Sequence, residues 1–223
     1  FAHASHLERS EFRDYVAKLQ PEKEYPGIQG VGFVQIIAAA QKDSHIQAVR
    51  AQGFPAYTIF PEGRRDSYTS TLYFEPSSAS NIANIGYDAY TDPARRAAME
   101  QARDTGMAAL SGKVIPLHGG TEQQAGVRLY LPIYRHGKPI STLAERRAHI
   151  VGWVYTPILM QDLMAGIPGE HATALDLEIF DGAEASAETA LYDPDNRPIE
   201  GRPVARYTSR QQINVANRTW TLE

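Results

Sequence analysis

Apolar positions along the chain follow two periods, and the change from one to the other predicts its elements. Leu7, Phe12, Tyr15, Val16 and Leu19 fall near helical spacing among Glu8, Arg9, Glu11, Arg13 and Asp14, which predicts a helix over residues 1–18. Ser10 is a candidate cap for a second helix starting at Glu11, with residues 1–10 then the tail of an earlier one. Pro21 and Pro26 end the helical pattern. Gly27, Gly30 and Gly32 lead into the apolar run 31–40. With no Lys-Ser/Thr after the glycines and no strand before them, they read as a turn into a buried strand with close backbone packing, not a phosphate loop.

The clearest helix covers residues 93–105. Asp92 is placed to cap its first turn, Pro93 suits the first helical position and Gly106 suits the left-handed stop. Ala94, Ala98 and Ala102 recur at i, i+4 and predict a close-packing face, with the strand expected over 107–114 as its neighbour. Another helix is expected over 43–52, and short ones over 143–147 and 158–164. Strands are expected over 57–60, 70–75, 107–114, 126–134 and 150–155. In 70–75 the alternation puts Thr71, Tyr73 and Glu75 on one face and Leu72 and Phe74 on the other. Residues 77–84 read as loop. After Gly166 the pattern turns to short strands over 175–180, 189–192, 206–213 and 217–222, joined by turns such as Asp193-Pro194-Asp195-Asn196.

The fold class is therefore α+β: a helical lead, a larger mostly antiparallel sheet with side helices, then a smaller sheet. The expected division is 1–24 as stalk end and entry helix, 25–157 as the larger unit, and 158–223 as linker helix and smaller sheet.

Composition narrows the functions available. The 223 residues are 43% hydrophobic with a net charge of −4, which suits a packed globular protein and gives no electrostatic case for nucleic acid or anionic lipid. Arg64-Arg65, Arg95-Arg96 and Arg146-Arg147 read as solvated faces. The absence of cysteine excludes disulfides, thiolate metal sites and a cysteine nucleophile. No apolar run approaches the ~18 residues that span a bilayer. The start at Phe1 and the end on strand-like Thr219-Trp220-Thr221-Leu222 suggest a soluble piece excised from a longer protein.

Catalytic patterns are poor. Ser111 lies in Leu-Ser-Gly rather than in a nucleophile elbow, and His118-Gly119-Gly120 resembles an oxyanion loop without that elbow. His3 and His6 are three apart but lack an acidic third ligand nearby. Asp181, Asp193 and Asp195 lack the spacing of a calcium loop. Asn217-Arg218-Thr219 is a glycosylation sequon. No catalytic residue, metal ligand or cofactor is expected. A binding site is: Tyr73 with Glu75, Ser111, and Arg128 with Tyr130 would line one concavity if their strands are neighbours.

Two blocks carry a family resemblance. Pro26-Gly27-Ile28-Gln29-Gly30-Val31-Gly32-Phe33 precedes a block with Gly86-Tyr87-Asp88, Pro93, Arg95-Arg96, Ala98-Met99 and Ala102-Arg103-Asp104-Thr105-Gly106. Ala109-Leu110-Ser111-Gly112 and Leu129-Tyr130-Leu131-Pro132-Ile133-Tyr134 follow. In this order and spacing, over residues 11–155, the chain resembles the CHASE domain, an extracellular sensory domain attached to histidine kinases and nucleotide cyclases. The resemblance implies two PAS-like sheets in series on a helical stalk, the larger one membrane-distal. Plant members bind cytokinins, which are adenine derivatives, in that distal unit. A hydroxyl residue of their pocket corresponds to Ser111. Their acidic residue has no clean counterpart: an ungapped count back from Asp88 reaches Ala79, leaving Glu75 and Asp88 as alternatives.

The expectation is a periplasmic or extracellular small-molecule sensor with no enzymatic activity of its own. Its ligand is open, possible adenine-like compounds included, and the stalk helix is a candidate homodimer contact. The competing expectations are a spacer or dimerisation module without ligand, and a small hydrolase using Ser111 with His118 as base.

Overall fold

A computed structural model describes residues 8–21, 25–117, 124–167, 176–194 and 208–223. The His3–His6 pair, the His118-Gly119-Gly120 loop and Asp195-Asn196 lie outside these residues.

The first helix, α1, runs Arg9–Leu19. The residue before it is Glu8, not Ser10, and the Glu8 N–H donates to Glu11 Oε2 at 3.3 Å. The glycine-rich turn delivers the chain into β1, Val31–Ala38, followed by α2, Lys42–Ala51. Strand β2, Ser67–Glu75, is longer than its pattern suggests. The expected strand at 57–60 joins neither sheet; it makes a single bridge, Phe60 to Tyr87. The expected loop at 77–84 contains a short helix, α3, Ala79–Ile82. Helix α4 is Pro93–Thr105, capped as its sequence requires: Asp92 Oδ1 accepts from the N–H of Ala94 and Arg95 at 2.9 and 3.1 Å, and Gly106 closes it at φ 76°.

The strand expected over 107–114 shrinks to β3, Ala109–Leu110. Strand β4, Gly126–Tyr134, is as expected. Helix α5, Leu143–His149, starts from a Thr142–Glu145 capping box. Strand β5, Ile150–Leu159, runs on through Pro157, and α6 is Met160–Ala165. The last strands are β6, Ile179–Asp181, β7, Ala190–Tyr192, β8, Gln211–Val215, and β9, Arg218–Leu222.

Two antiparallel sheets result. The larger has the order β2-β1-β5-β4-β3 and the smaller β7-β6-β9-β8. Helix α4 lies across β4 and β3 on one face of the larger sheet. Its Ala98, Met99 and Ala102 pack with Phe74, Tyr130, Trp153 and Tyr155, and Trp153 Nε1 donates to Met99 O at 2.9 Å. The opposite face is covered twice. Phe12 and Val16 of α1 pack on Phe33, Leu72 and Tyr73. Met160 and Met164 of α6, with Ile179, Leu191 and Trp220 of the smaller sheet, pack on Leu110 and Val127. Burial on both faces explains why β2 is buried almost throughout.

Strict alternation fails in β2. Phe33 pairs with Tyr73 and Val34 with Thr71, so Leu72 is an extra residue. A bulge of this kind turns neighbours to one side: Leu72 and Tyr73 share the α1 cluster while Phe74 joins the α4 cluster.

Candidate ligand site

The register across the larger sheet aligns one row of residues beneath α4. Phe74 pairs with Gly32, Gly32 with Tyr155, Tyr155 with Tyr130, and Tyr130 with Ala109. Gly32 is required there, because a Cβ would stand 2.2 Å from the Tyr155 ring. The missing side chain lets Tyr155 lie over β1, edge-on to Phe74 and stacked on Tyr130, each with centroids 5.6 Å apart. Burial pushes the phenols of Tyr130 and Tyr155 up from an ordinary value that already leaves both neutral at physiological pH.

Beside this row the chain places charge. Arg128 and Arg95 are 6% and 5% exposed. Burial, and after it the positive charge of Arg95, pull the Arg128 guanidinium down to about 10. Arg128 donates to Val127 O at 3.2 Å. Arg95 lies over the Tyr87 ring at 4.9 Å, and its Nε is 3.4 Å from Asp92 Oδ2 without a hydrogen bond. Ser111 joins the group through the backbone: its N–H donates to Arg128 O at 2.8 Å, and its Oγ accepts from the Arg128 N–H at 2.8 Å and donates to Gly112 O at 2.8 Å. Among the described residues this hydroxyl therefore meets backbone groups, with no imidazole to activate it.

The five residues expected to share a concavity divide between two faces. Ser111, Arg128 and Tyr130 come together on the β3–β4 side. Tyr73 lies on the other face, tilted against Phe12 and under the Arg9 guanidinium, 5.0 Å from the ring centroid. Glu75 is on that side too, near the Arg9 guanidinium, and accepts from Ser77 Oγ at 2.8 Å. The register of β1 makes this division, because Gly32 aligns Phe74 with Tyr155 and Tyr130 and so turns Tyr73 to the α1 face. Asp88, the alternative acid, is fully buried: Oδ1 accepts from Thr69 N and Oγ1 at 3.0 and 2.7 Å, and Oδ2 is 3.5 Å from Arg65 Nη1.

Arg95 and Tyr155 are the members that strand-by-strand reading passes over. The Arg95-Arg96 pair reads as a solvated face, yet only Arg96 is exposed. The buried stripe of α4 is Arg95, Ala98, Met99 and Ala102, one step from the alanine stripe. That i, i+3, i+4, i+7 set is itself a helical face and was the available signal.

A separate shallow cleft of about 400 Å³ lies at the end of β1, lined by Gln35, Ile36, Ile37, Gln41, Ser44, His45 and Ala48. It holds no buried charge. Among the described residues no three metal-ligating side chains gather, and no helix is long and apolar enough to cross a membrane.

Two solved structures share this fold. The ligand-binding domain of the Pseudomonas aeruginosa PAO1 amino acid chemoreceptor PctC, solved with GABA, matches 99% of this chain and 82% of its own at TM-score 0.50 and 11% identity. An extracellular ligand binding receptor from Desulfohalobium retbaense matches 98% of this chain and 33% of its own, at TM-score 0.50 and 12% identity. These likenesses show the fold. Sequence shows the family: the CHASE domain profile matches residues 5–192, and the chain belongs to the CHASE domain family. It is a sensor domain of a signalling receptor. The Hybrid signal transduction histidine kinase A of Dictyostelium discoideum is 26% identical over 128 residues, 54% of this chain and 6% of that protein.

Proposed function

We propose that this domain binds a small molecule between α4 and the larger sheet, at Ser111, Arg128 and Tyr130, on the periplasmic or extracellular side of a membrane receptor. The observation that carries this reading is the buried Arg128 guanidinium beside a second buried arginine, with neutral tyrosines around both. Among the described residues the carboxylate beside the pair is Asp92, 3.4 Å from Arg95 Nε, which leaves one buried positive charge uncompensated; that is costly in a domain kept for packing alone and useful in one that receives a ligand. Tyr73 and Glu75 belong to the α1 side of the same sheet and take part through the stalk rather than at the ligand. A histidine kinase or nucleotide cyclase output, and pairing of two copies along α1, complete the reading. Tyr15 and Leu19 on α1, exposed at i, i+4, supply the face for that pairing. No chemistry is assigned to the domain itself.

Ligand binding would shift a population: ordering α4 against β4 moves the smaller sheet and the stalk together. The test is a thermal-shift screen of purines, amino acids and small carboxylates, because a compound that binds only the folded state raises its melting temperature. Ser111→Leu and Arg128→Ala should abolish the shift in a protein that still folds. A full response retained in both variants would place the site elsewhere.

A further inference from the structure

The two buried arginines define the chemistry of what binds. We propose that Arg95 and Arg128 together receive the carboxylate of a small organic monoanion, with the Tyr130–Tyr155–Phe74 row against its apolar body. This rests on the ligand site proposed above and names the class of compound that fills it.

Four observations lead there. Arg95 stands on the first turn of α4, where the helix dipole already disfavours a cation. Its Nε is buried with no hydrogen bond, although a guanidinium carries five donors in a fork that fits a carboxylate. The two arginines repel, since the charge of Arg95 lowers the proton affinity of Arg128. The counter-charge within reach among the described residues is the single carboxylate of Asp92, whose Oδ1 caps α4 and whose Oδ2 lies 3.4 Å from Arg95 Nε. Tyr130 and Tyr155 supply no negative charge, since a phenol is protonated at neutral pH and burial raises both further.

Two guanidinium groups and one carboxylate leave a single uncompensated positive charge. A monoanion neutralises it, whereas a dianion such as hydrogen phosphate overshoots. A neutral purine leaves it in place. The aromatic row beyond the arginines favours a carboxylate on a flat or short apolar body over a bare inorganic anion.

The experiment is calorimetry and thermal melting of the 223-residue chain at fixed ionic strength with sodium acetate, butyrate and benzoate. The matched amides and sodium phosphate are the controls. Wild type is compared with Arg128→Met, Arg95→Met and Ser111→Leu. The expected result is that at least one carboxylate raises the melting temperature while its amide and phosphate do not. Each arginine variant should lose about ten- to a hundredfold in affinity, the scale of a charge-assisted hydrogen bond. Without ligand, Arg128→Met should melt above wild type, because it removes a buried unpaired cation.

The proposal is overturned if no carboxylate binds or acids and amides bind alike. It is equally overturned if Arg128→Met and Arg95→Met both melt below wild type. If a neutral compound binds and only Ser111→Leu abolishes it, the carboxylate assignment fails and the ligand site stands. If any bound compound is unaffected by all three substitutions, the ligand site itself is wrong.

Discussion

Asn217 stands in for a strand beside Leu110. From the turn between β8 and β9, its Oδ1 accepts from the Leu110 N–H at 2.6 Å, and its Nδ2 donates to Leu110 O at 3.2 Å and to Gln101 Oε1 of α4 at 2.8 Å. The hairpin of the smaller sheet thus grips the edge strand one residue before Ser111, and the helix that carries Arg95. Beside it, Arg218 pairs with Asp181 at 2.5 and 2.6 Å, against Gly112. This contact is a direct mechanical route from the proposed ligand site to the smaller sheet. It also gives the sequon at Asn217 a structural role, because its side-chain nitrogen is already committed.

Replacing Asn217 with Ala should leave the edge of β3 unpaired. The expected cost is about 1–3 kcal/mol, the penalty for stranding part-buried backbone groups. Amide exchange at Leu110 should accelerate more than at Tyr130 in the same sheet. Equal protection at both sites in the variant would show that the grip carries no load.

Gly32→Ala is expected to be far worse than an ordinary glycine substitution in a strand. The added methyl meets the Tyr155 ring at 2.2 Å and must displace the stacked row. Overpacking of this kind costs about 1–3 kcal/mol. The near-ultraviolet signal of the tyrosines should change with it. An unchanged spectrum and melting temperature would mean that the row is loosely held.

The end of α4 is fixed by electrostatics. Asp104 binds Arg147 at 2.6 and 3.0 Å and Arg103 at 2.7 Å, and these hydrogen bonds hold its carboxyl far below the ordinary carboxylate range. A depressed carboxyl stabilises the fold above its unfolded value, near 4, and that stability is lost as pH falls towards the folded value. Asp104→Asn should therefore be less stable than wild type at pH 7, by about 0.5–1 kcal/mol for a partly exposed pair. The gap should close progressively as pH drops below about 4. A gap that persists unchanged at low pH would remove the charge from the explanation.

Pairing through the stalk is checked by sedimentation. Leu19→Glu puts a charge on the exposed face of α1 without touching Phe12 or Val16, which are buried. The chain should show a concentration-dependent mass that this variant and removal of residues 1–10 both abolish. One mass for all three proteins at every concentration would contradict pairing.

Much of this was legible in the sequence where a signal is local. Helix α4 follows from Asp92, Pro93 and Gly106, because capping depends on a few adjacent residues. The glycines before β1 correctly announced close packing, and the two-sheet α+β class followed from the change of period after Gly166. What stayed hidden is set by distant parts of the chain. The pairing of Gly32 with Phe74 and with Tyr155 puts Phe74 in the Tyr130 row and Tyr73 on the other face, and nothing near Tyr73 in the sequence fixes that register. Strand β3 is two residues long, with Asn217, 107 residues away, completing its pairing. Arg95 looked like half of a solvated pair, because its buried stripe with Ala98, Met99 and Ala102 emerges only over two turns of α4 and sits one step from the alanine stripe.

The most direct test is a crystal structure grown with whichever screened compound gives the largest thermal shift. The account predicts that the compound lies beneath α4, with an anionic group at hydrogen-bonding distance from both Arg95 and Arg128 and a flat or apolar body against Tyr155. Density for it in the Gln35–Ala48 cleft instead, with side chains of the protein closing the space around Arg128, would contradict the account.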